Sequence, residues 1–221
     1  SLIGAEEGDS LFKFPLDIAI QDGNGQWVEH IVDITGEFAQ LRQNMEMEPK
    51  QIIIDPYSRA VTSLDFNPGE DILKSSLSSS DCPYLYGRIH AGEVIAKSGR
   101  RKNIELLENA FSTETFWGVR VLWAKALGAA RVPSARTAIL NLLPYENHDM
   151  VQAALAEALG HHRSHETAQH LHDFLQRVDI PYVSRAAALI SMGMQRMHIN
   201  WDDLMEGLSD HGWWGYIRRS A

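Results

Sequence analysis

Five of the ten histidines fall within the segment 161–172: His161, His162, His165, His170 and His172. Imidazole is the commonest protein ligand for transition metals, so this density raises the question of a zinc site. The phrase HHRSHETAQH at 161–170 comes close to a zinc-peptidase helix. In that helix two histidines four apart put both imidazoles on one face, with a glutamate beside them as base. Here His165-Glu166 is followed by His170, and the ligand position between them is filled by Gln169. A five-residue step turns the second imidazole by about 140° from the first. No metal site is assigned on this pattern. His161, His165 and His170 stay candidates for an adventitious or regulatory site at an inter-helix loop, against a solvated loop and the polar face of a helix.

Other reactive side chains lack support. Cys82 is the single cysteine, which excludes an intramolecular disulfide, and nothing basic adjoins it to lower its pKa. The SSLSSS tract at 75–80 has no glycine elbow to present a nucleophile. No catalytic and no cofactor-binding residue is assigned. The net charge of −9 lies entirely in residues 1–80, which hold 14 Asp and Glu against 5 Lys and Arg, while the rest balances 15 against 15. Neither part offers a basic face for nucleic acid, and no apolar run reaches the ~18 residues of a membrane span. One cysteine and no N-x-S/T acceptor fit a cytoplasmic setting. The chain starts at Ser1 rather than methionine, which points to a processed or excised chain.

The elements that carry these residues change character near residue 84. Upstream, LFKFPLDIAIQ at 11–21 alternates with period two, Phe12, Phe14, Leu16, Ile18 and Ile20 against Lys13, Asp17 and Gln21. Pro15 places this strand at an edge or a bulge. DGNG at 22–25 reads as a turn, QWVEHIVDIT as the return strand, and EFAQLRQ, QIIIDPY and AVTSLDF as three more. The expectation is a small antiparallel β-sandwich over 1–69. A capping helix follows in EDILKSSL, with Leu73 and Leu77 four apart, within a linker at 70–83.

From 84 to 221 the chain repeats. Arg88, Arg120, Gln152, Arg185 and Arg218 fall at steps of 32, 32, 33 and 33 residues. Eight places after the first four come Ala96, Gly128, Gly160 and Gly193. Leu107, Ile139, Leu171 and Leu204, then Phe111, Leu143, Leu175 and Leu208, recur in the same phase. Two helices per ~33-residue unit predict an α-solenoid of HEAT-like helix pairs, about four and a half repeats long. The glycines are expected at left-handed helix ends, with Gly99 serving the unit where Ala96 stands. Ser134 and Ser164 are expected as N-caps of second helices. Trp117, Trp123, Trp201, Trp213 and Trp214 are expected to fill the repeat core. The fifth unit stops at Ala221, which predicts an uncapped end where Trp213 and Ile217 drive self-association. The repeated arginines are expected to meet loop carboxylates in a ladder: Glu114, Glu146 and Asp179 lie six residues before, Asp81 and Asp210 seven and eight before.

The phrases FWGVRVLWAKALG, VQAALAEALG, IPYVSRAAALISMG and HGWWGYIRRSA resemble the C-terminal HEAT-like region in a branch of the zinc aminopeptidases typified by aminopeptidase N. FKFPLDIAIQDGNG and IIIDPYSRAVTSLDF resemble the small β-sandwich before it, and the order matches over residues 11–221. The resemblance implies a non-catalytic C-terminal region that packs on the parent's own catalytic domain and gates its active-site entrance. The parent would be a hydrolase with zinc in an upstream domain and peptides as substrates. The family's His-Glu-x-x-His and Gly-x-Met-Glu-Asn motifs are absent from this sequence, so none of its catalytic residues is carried over. Two rivals stay open: a scaffold from an aminopeptidase homologue that has lost zinc, and a HEAT-repeat bilin lyase, which leaves the β-region unexplained.

Overall fold

The computed structural model describes residues 13–60, 64–197 and 201–221; of Trp213 it describes the backbone alone. The chain divides into two compact units between Ala91 and Gly92, inside a helix that belongs to both.

In the first unit β1 (Phe14–Gln21) pairs antiparallel with β2 (Trp27–Ile34) and β3 (Gln51–Ile54) in the order β2-β1-β3. The β1–β2 turn closes on Asp22, whose Oδ1 accepts the N–H groups of Asn24 and Gln26 at 2.9 and 2.8 Å, with Gly25 at φ 89°. The sequence expectation needs three corrections. β1 is the central strand, and Pro15 is tolerated because β3 pairs only from Ile18 onward. The N–H of Asp55 and of Lys50 bond to the carbonyls of Asp17 and Gln21, so the odd residues of β1 face β3. The missing donor of Pro15 therefore points past the end of β3. EFAQLRQ is irregular backbone rather than a strand, as are Ala60 and residues 64–66 of AVTSLDF; residues 61–63 lie outside the described ones. Among the described residues the strands form one three-stranded sheet, and no second sheet layer.

The tightest packing lies on the face that alternation marks as polar. Ala19, Ile53 and Cys82 are buried together there, with Trp27 and Tyr84 against them. The Phe14–Leu16 side is half-buried and leaves an apolar cavity of about 230 Å³ with Ile34, Ile54, Leu64 and Tyr86. Helix α1 (Glu70–Ser76) packs on β3 and buries Leu73, followed by buried Leu77.

Helix pairs follow: α2 (Leu85–Lys97) with α3 (Arg101–Thr113), α4 (Trp117–Ala130) with α5 (Pro133–Leu142), and α6 (Asp149–Leu159) with α7 (His165–Leu175). Then come α8 (Tyr182–Gln195) with α9 (Trp201–Leu208), and finally α10 (Tyr216–Ser220). In the second unit α4, α6, α8 and α10 stack as one layer and α3, α5 and α7 as the other. Leu107, Ile139 and Leu171 are fully buried between them. No helix among the described residues is long and apolar enough to cross a membrane.

The repeat glycines have a different task from the one expected. Gly128 and Gly193 lie inside α4 and α8, and Gly160 caps α6 in right-handed geometry. Gly128 sits where α4 meets α6, and a Cβ there would stand 2.9 Å from the Ala158 Cα. The left-handed turn comes three residues later, at Gly99 (φ 64°), Arg131 (φ 51°) and Arg196 (φ 52°), each eleven places after its unit's arginine. Ser164 caps α7, its Oγ accepting the Thr167 N–H at 3.0 Å, whereas Ser134 lies inside α5, which opens on Pro133.

Of the tryptophans expected inside, Trp123 is fully buried, but Trp117, Trp201 and Trp214 are exposed. Ile217 is buried against Ala186 and Leu189, so it is closed to self-association; the Trp213 side chain lies outside the description.

Candidate interaction surface

The repeated row resolves as hydrogen-bond donors before it resolves as charges. Arg88 Nη1 donates to the Cys82 carbonyl at 2.8 Å, Arg120 Nη1 to the Glu114 carbonyl at 2.8 Å, and Gln152 Nε2 to the Glu146 carbonyl at 2.5 Å. In each case a side chain on the first helix reaches back six residues and satisfies a loop carbonyl. That is why glutamine can stand in register with arginine: the site needs an N–H, which both supply. The expected carboxylate ladder forms at one rung within the second unit. Arg120 Nη2 lies 3.2 Å from Glu146 Oε1 in the next repeat, and its Nε stands 3.2 Å from Oε2 without pointing its hydrogen there. Arg185 pairs instead with Glu206 of α9, at 3.0 Å, rather than with Asp179. Asp210 Oδ1 takes the Gly212 N–H, and the Arg218 guanidinium lies against Gly215.

The opposite ends of the first helices carry a second polar row, which sequence reading missed. His162 shares a hydrogen bond with the Leu127 carbonyl at 3.1 Å, and Gln195 Nε2 donates to the Leu159 carbonyl at 3.3 Å. His162 and Gln195 occupy the same place, two residues after Gly160 and Gly193. Each satisfies a last-turn carbonyl of the preceding unit, the group a helix C-terminus leaves orphaned. Burial pushes the His162 imidazole below its ordinary value, although its carbonyl bond pulls the other way.

This arrangement separates the histidine group. His162 is buried, whereas His161, His165 and His170 are exposed, with His170 Nδ1 bonded to the Glu166 carbonyl of its own helix. His172 Nδ1 donates to Asp203 Oδ2 at 2.7 Å, which holds this imidazole above its ordinary range. No three His, Cys, Asp or Glu side chains among the described residues come together as a ligand set.

The loop edge around Arg120 is the most featured surface of the second unit. A cleft of about 680 Å³ opens between the end of α3 (Phe111, Ser112), Arg120, the end of α5 (Asn141, Leu142) and the loop of Tyr145 and His148. The Trp117 ring stacks on His148 with centroids 5.0 Å apart and planes 8° off parallel, and Phe116 packs on Trp117. Tyr145, which lines the cleft, is 84% exposed, and Trp117, which adjoins it through His148, is 41% exposed. Three buried polar atoms of this region have no hydrogen-bond partner among the described residues: Arg120 Nε, His148 Nδ1 and Gln152 Oε1. The sequence signal for this edge was the aromatic content four places ahead of the repeated row, with Tyr84, Phe116, His148 and Trp214 in four of the five units and Pro181 in the other.

The first unit holds its own polar cluster. Glu29 Oε1 accepts the hydroxyls of Tyr57 at 2.5 Å and Tyr84 at 2.7 Å, which holds its carboxyl below the usual range. The same bond to Glu29 raises the Tyr57 phenol; burial first, then that bond, raises the Tyr84 phenol. Phenols held protonated are poor nucleophiles, so this cluster clasps β2 to the flanking loops.

Residues 104–193, from α3 to near the end of α8, match the family of HEAT repeats. No curated protein matches the chain. The helical region is HEAT-like, an architecture whose stacked pairs commonly serve as scaffold and interaction surface.

Proposed function

We propose that the helical array is a non-catalytic interaction scaffold and that the cleft at its loop edge holds an extended polypeptide. The observation that carries this reading is the make-up of the cleft. Rigid aromatic area from Tyr145 and from His148, which is stacked on Trp117, stands beside the amides of Asn141 and Asn147. Aromatic anchors with polar groups at the rim are the usual currency of peptide and protein recognition. The HEAT-like match supports the same reading, since stacked pairs present surface rather than enclose a reactive pocket.

The finer reading is that the scaffold is the C-terminal region of an aminopeptidase-N-like zinc metallopeptidase. Its zinc would lie in an upstream catalytic domain, its peptides would be the parent's substrates, and its setting would be cytoplasmic. The support is the phrase-level resemblance, with β-structure preceding helix pairs in the same order.

Anisotropy of a fluorescein-labelled pool of unstructured decapeptides tests the scaffold. Binding should fall by about tenfold in Tyr145→Ala and Trp117→Ala; equal binding by wild type and both variants would overturn the cleft assignment. Chelator-sensitive hydrolysis of aminoacyl amides by the full gene product tests the parentage. A product without zinc-dependent turnover would remove it and leave the scaffold reading to the peptide assay.

A further inference from the structure

Arg88, Arg120 and Arg185 point their guanidinium groups at carbonyls and carboxylates of the fold itself, but the chain carries a second row of arginines. Eleven places after Arg88, Arg120, Gln152 and Arg185 come Gly99, Arg131, Arg163 and Arg196, each in the loop between the two helices of its unit. Gly99 is followed at once by Arg100, Arg101 and Lys102. These four loops lie side by side along one edge of the second unit. A Cβ on Gly99 would stand 3.3 Å from Val132 Cγ1, Arg136 pairs with Glu166 at 3.2 Å, and the Ser164 N–H bonds to Gln195 Oε1 at 3.1 Å. Residues 97–104, 129–138, 160–165 and 193–197 together hold eight Lys and Arg, no Asp or Glu, and no Phe, Tyr or Trp. The neutral balance beyond residue 80 therefore hides a basic edge, which stacking assembles from four segments.

Part of this charge is engaged: Arg101 pairs with Glu105, Arg136 with Glu166, and Arg163 Nε donates to the Gln195 carbonyl at 2.7 Å. The rest is open. Lys97, Lys102, Arg131 and Arg196 are exposed, with no carboxylate within 4 Å among the described residues. Arg131 and Arg196 also hold left-handed backbone, at φ 51 and 52°, where glycine or asparagine sits with less strain. A cation in the last helical turn would serve the helix C-terminus without that strain. Burial lowers the His162 pKa first, and the nearby charges of His161, Arg136 and Arg131 lower it further, so the edge is positive as felt from within.

We propose that this edge binds an extended acidic segment of a partner protein. Packed helices stand about 8–10 Å apart, so the arginines of successive units recur at about that interval. A polyproline-II segment has three residues per turn and rises about 3.1 Å per residue, which returns a side chain to one face every ~9 Å. A carboxylate at each third residue thus meets Arg131, Arg163 and Arg196 in turn, as a charge-assisted pair each time. Nucleic acid is the poorer occupant. The net charge of −9 opposes a dense polyanion at long range, and the four loops offer no aromatic ring for a base to stack on. None of these residues lines the cleft around Arg120, so failure here leaves that reading untouched.

The test is anisotropy of a fluorescein-labelled peptide of four Glu-Pro-Pro repeats. Beside it run a peptide of the same composition with its glutamates in adjacent pairs, and a DNA strand of the same number of units. At about 50 mM salt the regular peptide should bind with a Kd of about 10–100 μM and weaken severalfold by about 200 mM. The paired-glutamate peptide should bind about threefold more weakly. Arg131→Asn with Arg196→Asn keeps residues that accept positive φ, so the melting temperature should hold while the regular peptide loses about tenfold. Lys125→Gln with Arg219→Gln removes the same charge from exposed positions off this edge and should cost less than about twofold. Equal losses in the two double variants, equal binding of the two glutamate spacings, or no binding of the regular peptide would each overturn the proposal. So would tighter binding of the DNA strand that the asparagine variant abolishes, since the edge would then belong to nucleic acid. If the asparagine variant fails to fold, Lys97→Gln with Lys102→Gln takes its place, with a loss of about threefold expected and none overturning the assignment.

Discussion

Arg120 ties two repeats together: its Nη1 satisfies the Glu114 carbonyl at 2.8 Å while its Nη2 lies 3.2 Å from the Glu146 carboxylate of the next unit. Glu146 Oε1 also accepts the N–H groups of Asn147 and His148, at 2.9 and 2.8 Å, at the start of α6. One guanidinium thus serves a carbonyl and a carboxylate that both sit at loop-to-helix junctions. Both side chains of the pair are mostly buried, at 18 and 9% exposure, so desolvation limits what the charge contributes. Arg120→Met removes the side-chain donor of the Glu114 carbonyl and the cation facing the Glu146 carboxylate, and should cost about 1–3 kcal/mol in urea unfolding. Arg120→Gln keeps an N–H for the carbonyl, as Gln152 does, and should cost less. A methionine variant as stable as wild type would leave the row with a positional role and no energetic one.

Gly128 and Gly193 share a place in the repeat but not an environment. A Cβ on Gly128 meets the Ala158 Cα at 2.9 Å, a backbone atom that cannot swing aside, whereas one on Gly193 meets nothing within 4 Å. Gly128→Ala should therefore force α4 and α6 apart and cost about 1–3 kcal/mol. Gly193→Ala, in an exposed helix interior at ordinary φ, should stabilise by about 0.5–1 kcal/mol. Denaturant midpoints of the two variants should move in opposite directions; two shifts of the same sign would contradict the packing described.

These glycines also mark where the sequence could be read and where it could not. A period of 32 to 33 residues shows helix pairs, because every unit must bury the same stripe against its neighbours. The same period cannot distinguish a glycine that turns the chain from one that lets two backbones touch, since both exclude Cβ. The left-handed positions are held by Arg131 and Arg196, whose side chains give no hint of positive φ. Trp201 and Leu208 were in phase for the core and are exposed, because the bonds from Asp203 to His172 and Gln176 set the rotation of α9. Pro15 signals an edge strand, yet β1 is central, and the proline is tolerated only because it stands where β3 does not reach. The cleft was illegible for a simpler reason: Phe111, Arg120, Asn141 and His148 come from four segments that only stacking brings together.

His162 gives the array an acid-sensitive joint. Its folded pKa lies below the ordinary 6.5, so the neutral form is the one the fold holds. Its contribution is then complete above pH 6.5 and is lost as pH falls below that value, where the unfolded chain takes up the proton first. His162→Gln places an amide donor where Gln195 already performs the same task one repeat later. Stability should change little at pH 8, and the fall in melting temperature between about pH 7 and 5 should become shallower. An unchanged acid slope would show that other groups govern it.

His172 works in the opposite sense. The hydrogen bond to Asp203 raises its pKa above the ordinary 6.5, so its contribution is present below that value and fades as pH rises through the folded pKa. The imidazole side chain is 37% exposed, so salt screens the pair and the effect is small. His172→Ala should lower the melting temperature more at pH 6 than at pH 8, and raising salt from about 0.1 to 1 M should narrow that difference. A fall of equal size at pH 6 and pH 8 would place the hold on Asp203 with Gln176 rather than with the charged imidazole.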